Sequence, residues 1–468
     1  MSSIAIEERT DWADLLAGGR LPSFALICLG VWLNAADAMV AATIMPSVGA
    51  DLGGYAYFGW AVAGFLIGSI LAGASAGRLS EILGLAFSTG VSGGLLAVGC
   101  VLSALAPDMG TFLAGRIVQG LASGWIAGFA MVAAAVLFPP RHLARIFATM
   151  SGIWGIATIL GPLVGGLSAA AGSWRAVFWL FAAQAVLFGI GAPILLRGTL
   201  HRPSGSRVPW LQLFVLALGV AAIAWADTAS GAVAAVGLVA LGMALLVLVL
   251  GIDARSAHRM LPHRAGDLRT ICGSAYASIF ALTAASMGLT VYGAAILQEL
   301  RGLSPLWAGY VIGAEALAWT LAAFLVAGVS GGRGERLCIR GGACCVLLGV
   351  AMLLLFLKAA ALPLVVLAAS VMGAGFGLSS ALTSRRVIGV VADPEKAIGS
   401  AAIVAVRQTG SAVGAAIAGV TANMVGFGAG LTTASAEAAA VWVFATALPL
   451  GLFGVWAAFR MTGRATPA

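Results

Sequence analysis

Runs of about 20 residues with scarcely a charge recur along this chain, and each is long enough to cross the hydrocarbon core of a bilayer as one helix. Backbone polar groups inside lipid must be satisfied within the segment itself, which leaves only helices or a closed barrel. The period-two alternation of a barrel strand is absent, so the expected fold is an all-α integral membrane protein. Composition agrees: 61% of the residues are hydrophobic and 9% charged, where soluble domains carry about 25% charged residues. Sixty-four glycines suit helices whose backbones approach closely in lipid.

Fourteen spans are read at 23–46, 56–76, 86–106, 110–136, 146–169, 175–196, 211–229, 232–252, 270–298, 306–328, 338–357, 362–384, 400–424 and 437–459. Basic residues set their direction. Of the 25 Lys and Arg, most fall in alternate connections and at the two ends, while Arg175, Arg301 and Lys358 occupy the opposite set. The positive-inside rule then puts both termini in the cytoplasm. It also decides that 211–252 is a hairpin of two spans, because a single span would turn Arg333, Arg336 and Arg340 outward.

The expected organisation is an N-terminal tail (1–22), a six-helix bundle (23–197), a basic linker carrying the inserted hairpin (198–269), a second six-helix bundle (270–460) and a C-terminal tail (461–468). The net charge of +8 sits in the loops, which argues against a nucleic-acid partner. The opening residues carry acids early and lack an apolar core, unlike a cleaved signal peptide. The six cysteines fall in or beside apolar runs without metal-ligand spacing, and no cofactor is expected. His142, His201, His258 and His263 all lie outside the spans and no HExxH occurs, so an intramembrane enzyme is not expected.

A few polar side chains stand inside the apolar runs. Asp37 is one, in FALICLGVWLNAADAMVAATIMP, with no charge between it and Arg20. A carboxylate at that depth costs roughly 2.5–3.5 kcal/mol on insertion scales, so it needs a partner, a wet cavity or a proton. At 1.5 Å per residue, Asp37 and Glu315 each lie about 13 Å and Arg116 about 9 Å from the outer ends of their spans. Comparable depth permits one polar cavity and leaves lateral contact open. Asp37 is read as a protonatable site with Arg116 biasing it, or else as half of a permanent pair joining two helices. Glu315 is read as a second proton site or a cation contact, or as a satisfied interhelical hydrogen bond, with Trp319 one turn on as a platform for an organic cation. Asn34, Gln119, Arg407 and Gln408 complete the candidate cavity or gating residues. Arg407 would contact an anion or act as a gate charge, or else snorkel to the interface.

Several segments resemble the major facilitator superfamily, and the resemblance covers essentially the whole chain. LNAADAMVAATIMPSVGADLG is similar to the first-helix motif of drug:proton antiporters, and GRIVQG resembles the motif whose arginine is linked there to proton transfer. GPLVGG resembles the exporters' antiporter motif, and GSWRAVFW the turn into the sixth helix. GRLSEILGLAFS resembles the GxLaDrxGrr loop, keeping Gly77 and Gly84 with Glu81 for the aspartate. Ile82, Leu85 and Ala86 stand where that loop is usually basic. Six plus two plus six spans is the plan of the fourteen-helix antiporters. A faint internal repeat pairs GIWGIATILGPLVGG with RQTGSAVGAAIAG.

The resemblance implies the major facilitator fold and a proton-coupled exporter of amphipathic or cationic small molecules, in the inner (plasma) membrane and by default monomeric. Asp37 and Arg116 would couple protons, and Glu315, read from its place inside a span rather than from a motif, joins them as the second candidate. Gly161, Pro162, Gly165 and Gly166 would let a helix bend or slide, and Gly77, Glu81 and Gly84 would serve a conformational loop. The expected partners are the substrate, protons and membrane lipids. A lipid or envelope-precursor exporter, a nutrient:proton symporter and a non-transporting sensor remain the alternatives.

Overall fold

The computed structural model describes residues 20–138, 140–197, 207–229, 231–329, 332–359, 361–392 and 395–463. Most of the N-terminal tail, the linker stretch 198–206 and the last five residues lie outside the described residues. Among the described residues fourteen α-helices follow one another: α1 Leu21–Leu52, α2 Phe58–Leu83, α3 Leu85–Ala104, α4 Met109–Leu137, α5 Pro140–Ala170, α6 Arg175–Leu195, α7 Trp210–Trp225, α8 Ala232–Arg255, α9 Ile271–Arg301, α10 Pro305–Leu325, α11 Gly332–Phe356, α12 Leu362–Val390, α13 Lys396–Met424 and α14 Thr433–Thr462. No strand occurs among the described residues.

Among the described residues thirteen helices contain segments long and apolar enough to cross a bilayer. The exception is α7, with 16 residues, or about 24 Å. A 3-10 turn, Ala226–Thr228, continues it by about 6 Å and brings the expected seventh span to membrane thickness. Many helices run past the limits of the apolar spans read in the sequence. Start signals sit where the spans begin: Asp108 accepts from the Thr111 backbone N–H, Thr270 from Gly273, and Thr432 with Ser435 forms a capping box. Large side chains such as Val233 (89% exposed) and Leu325 (82%) stand on the outside of the bundle, as lipid contact requires.

The helices pair in a repeated scheme. α1 packs on α5 as α9 packs on α13, α2 on α4 as α10 on α12, and α3 on α6 as α11 on α14. The small-residue stretches of α5 and α13 create two of these contacts. A Cβ at Gly161 would collide with Met39 of α1, and one at Gly410 would sit 2.5 Å from the Phe280 carbonyl oxygen of α9.

The two sets of six meet along α5–α10 and α2–α13. At the first seam a Cβ at Gly166 would lie 2.5 Å from Leu306 Cα, and one at Gly309 would lie 2.8 Å from Pro162 Cβ. The second seam is covered by α7, which packs on both α2 and α13 through Val220, Ile223 and Ala224. Trp225 meets Trp60 edge-on at 5.9 Å.

Candidate functional site

Asp37 and Arg116 meet. The midpoint of α1 and the second turn of α4 bring an Arg116 Nη1 within 2.9 and 2.8 Å of the two Asp37 carboxylate oxygens. Both residues are 3% exposed. The same Nη1 donates to Gln119 Oε1 at 2.6 Å, and Nε faces the Ala61 carbonyl of α2 at 3.5 Å. The Phe65 ring lies under the guanidinium, 4.7 Å from ring centroid to Cζ. Gln119 in turn donates to the Gly99 carbonyl (3.0 Å) and Ser103 Oγ (2.8 Å) of α3. One network thus ties four helices.

Gln119 was grouped in sequence with the cavity residues. Fully buried, it instead fixes the orientation of Arg116, using its spacing of three residues on α4. Asn34 lies one turn before Asp37 and reaches toward the Ser123 carbonyl of α4 at 3.5 Å.

This arrangement can carry proton chemistry. A buried guanidinium favours the charged carboxylate, while burial without a counter-ion favours the protonated one. Removing one partner of a buried pair costs about 3–5 kcal/mol, so a motion that separates Asp37 from Arg116 would leave a buried charge uncompensated.

The second set of six carries its candidates on α10, α12 and α13. Glu315 and Trp319 lie one turn apart on α10, where α12 comes very close. A Cβ at Gly373 or Gly377 would strike the Glu315 or Trp319 carbonyl. Trp319 stacks on Phe376 of α12 at 4.9 Å, and Arg407 of α13 stands over the Trp319 ring at 5.4 Å. Neither Glu315 nor Arg407 forms an ion pair with any described residue. Glu315 is therefore not joined to Asp37 and Arg116. Gln408 points the other way and donates to Ser69 Oγ of α2 at 3.1 Å, across the α2–α13 seam.

Of the proposed mechanical residues, Gly161 and Gly165 face α1, and Gly166 with Pro162 faces α10, so this stretch of α5 lies between both sets of helices. In the α2–α3 connection, Gly84 has φ +84°, a conformation costly for other residues, whereas Gly77 meets nothing within 4 Å. Glu81 pairs with Arg78 at 3.2 Å.

Three features were not anticipated. Glu335, at the start of α11, is 8% exposed and pairs with Arg385 (3.0 Å) and Arg386 (3.2 Å) at the end of α12. The second is an aromatic cluster bridging the two sets of helices: Phe427 packs on Tyr55 (6.0 Å), Phe58 (5.6 Å) and Tyr292 (4.9 Å), and Phe58 stacks on Tyr292 at 6.2 Å. Asn423 donates to the Ala56 carbonyl beside it at 2.7 Å. Aromatic residues and glycines clustered in the 53–58 and 425–430 connections were the available signal. The third is GASAG at 73–77, which has the GxSxG spacing of a hydrolase elbow. It lies inside α2, where Ser75 donates to the Ala72 carbonyl and accepts from Trp125, so it is a helix-packing serine without the strand-to-helix turn of an elbow. Among the described residues, no three His, Cys, Asp or Glu side chains gather as a metal site.

This helix arrangement, with charged pairs in its interior, defines a multi-pass membrane transporter. The family model described as Major Facilitator Superfamily matches residues 27–417, and the chain belongs to that superfamily. A Mycobacterium tuberculosis protein named probable multidrug-efflux transporter is 28% identical over 431 residues, covering 89% of this chain and 90% of the relative. Among solved structures, a D-xylose–proton symporter superposes with TM-score 0.63 at 18% identity over 95% of this chain and 97% of that one. A bacterial homologue of the human lysosomal transporter Spinster, in an inward-facing and unoccupied conformation, gives 0.65 at 14% identity over 97% and 100%. These two likenesses show the fold.

Proposed function

We propose that this protein is a proton-coupled exporter of amphipathic or cationic small molecules that works by alternating access in the cytoplasmic membrane. The observation that carries the reading is the buried Asp37–Arg116 pair, held by Gln119 and the Phe65 face. The relative's efflux name supports the direction of transport.

The bundles 23–197 and 270–460 are taken as the two rocking units, with the hairpin of 211–252 inserted between them and both termini cytoplasmic. In that orientation the Phe427 cluster would be the seal of the outer end. Rocking slides α5 against α10 at Gly166 and Pro162, and α2 against α13 at Ser69 and Gln408. Movement of α4 against α1 loosens Arg116 from Asp37, which then takes up a proton. Re-forming the pair expels it. Glu315 offers an acid that makes no ion pair with any described residue to the cationic part of a substrate, beside Trp319, and is the candidate second proton site.

Substrate-induced proton release tests the reading. A cationic dye added to weakly buffered, detergent-purified protein should release protons from the wild type and far fewer from Asp37→Asn. No release from the wild type at saturating dye would contradict proton antiport.

A further inference from the structure

Arg407 lies within α13, inside the protein's membrane-spanning body, yet it makes no hydrogen bond or ion pair with any described residue. Its guanidinium stands over the face of Trp319 at 5.4 Å. Arg407 is only partly buried, and where its guanidinium leaves water the ring face recovers only part of what is lost, so an anion would complete its surroundings.

The wall around it suits one. Arg407 shares a small recess with Ser278, Thr283, Phe376, Ser380 and Thr383, contributed by α9 and α12, and no Asp or Glu lines it. The side-chain hydroxyls of Thr283, Ser380 and Thr383 make no hydrogen bond among the described residues, so each has a proton to donate. Ser278 is committed to the Gly454 carbonyl at 3.0 Å. The recess admits only a small headgroup, and the body of a ligand must lie outside it. Across Trp319, Glu315 stands one helical turn back on α10 and likewise makes no ion pair with a described residue.

The geometry points to a headgroup subsite at Arg407 for the carboxylate of a zwitterionic amphipath, whose cationic end faces Glu315. The guanidinium and three free hydroxyls supply the donors, and the absence of an acid in the wall rejects a second cation. Arg407 thereby separates zwitterions from simple cations of the same shape. This deepens the exporter reading and rests on it for transport; binding can be tested without it.

Rhodamine B, with a free carboxylate, and its ethyl ester, a cation with the same ring system, form the matched probe pair. Their binding to full-length detergent-purified protein at neutral pH is followed by dye anisotropy. The wild type should bind the acid at least about tenfold more tightly than the ester. Arg407→Gln should abolish that preference by weakening acid binding, with the ester's Kd unchanged within about twofold. Retained ester binding shows that the variant is folded. If Arg407→Gln does not purify, the double variant Ser380→Ala/Thr383→Ala should lower the preference in the same direction.

Equal binding of acid and ester by the wild type, binding of neither, or equal weakening of both by Arg407→Gln overturns the subsite. Discriminating binding without movement of either dye in proteoliposomes would instead sink the exporter reading and leave the subsite standing.

Discussion

Replacing Phe427 with alanine should unseal one end of the protein. Phe427 is fully buried at the join between the two sets of helices. Its contact with Tyr292 at 4.9 Å lies within the C-terminal set and survives rocking, so it drops out of the difference between states. The contacts with Tyr55 at 6.0 Å and Phe58 at 5.6 Å cross the join and exist only while it is shut. At about 0.5–1.5 kcal/mol for each aromatic pair, Phe427→Ala removes about 1–3 kcal/mol from the sealed state alone. The ratio of sealed to unsealed molecules should fall about 5- to 150-fold. The Phe58–Tyr292 stack remains, so the seal weakens without vanishing.

Spin labels on Ala50 and Ala434, two exposed positions at the end of α1 and the start of α14, one in each set of helices, report the opening by electron–electron double resonance in a cysteine-free background. The wild type should give a short distance, and Phe427→Ala a second, longer population. Phe444→Ala is the control. It removes an equally buried ring that belongs to no aromatic pair at the join, so it should lower the melting temperature and leave the distances unchanged. An unchanged distribution in Phe427→Ala, or the same shift in Phe444→Ala, would refute a seal made by these rings.

Three further outcomes are expected. In thermal unfolding, Asp37→Asn and Arg116→Gln should each destabilise by about 3 kcal/mol, and the double variant by clearly less than their sum; additivity would mean the pair is not coupled. Gly166→Val should push α5 off α10, because its Cβ would already lie 2.5 Å from Leu306 Cα, so transport should fall sharply while Gly155→Ala, which meets nothing within 4 Å, stays near wild type. At the start of α4, hydrogen bonds from Thr111 hold the Asp108 carboxyl below its usual 3.8. Its contribution is therefore present above that value and is lost as pH falls through the lower folded value, a slope that Asp108→Asn should flatten while keeping the cap.

The helices were legible in the sequence because membrane burial writes itself into apolar length, and loop arginines marked the pairing of spans. Helix α7 was the least legible, since its last turn tightens to 3-10 geometry and no composition signals that. Depth along a helix placed Asp37 and Arg116 at one level, but their lateral contact depends on how α1 and α4 rotate against each other. Glycine contacts between the helices settle that rotation, and periodicity alone does not. Gln119 was visible only as a polar residue; its role in holding Arg116 needed the fold. The aromatic seal joins connections some 370 residues apart, a pairing that exists only once both sets of helices have docked. The Glu335 cluster was hidden for a related reason, since its arginines read as ordinary loop charges.

Proton movement through Asp37 is tested most directly in proteoliposomes that hold a pH-sensitive dye, with a cationic substrate and a pH gradient imposed in either direction. The account predicts substrate transport that reverses with the gradient, a proton flux that accompanies it, and loss of both in Asp37→Asn. Gradient-driven transport persisting in Asp37→Asn, or substrate flux through the wild type without any proton flux, would contradict it.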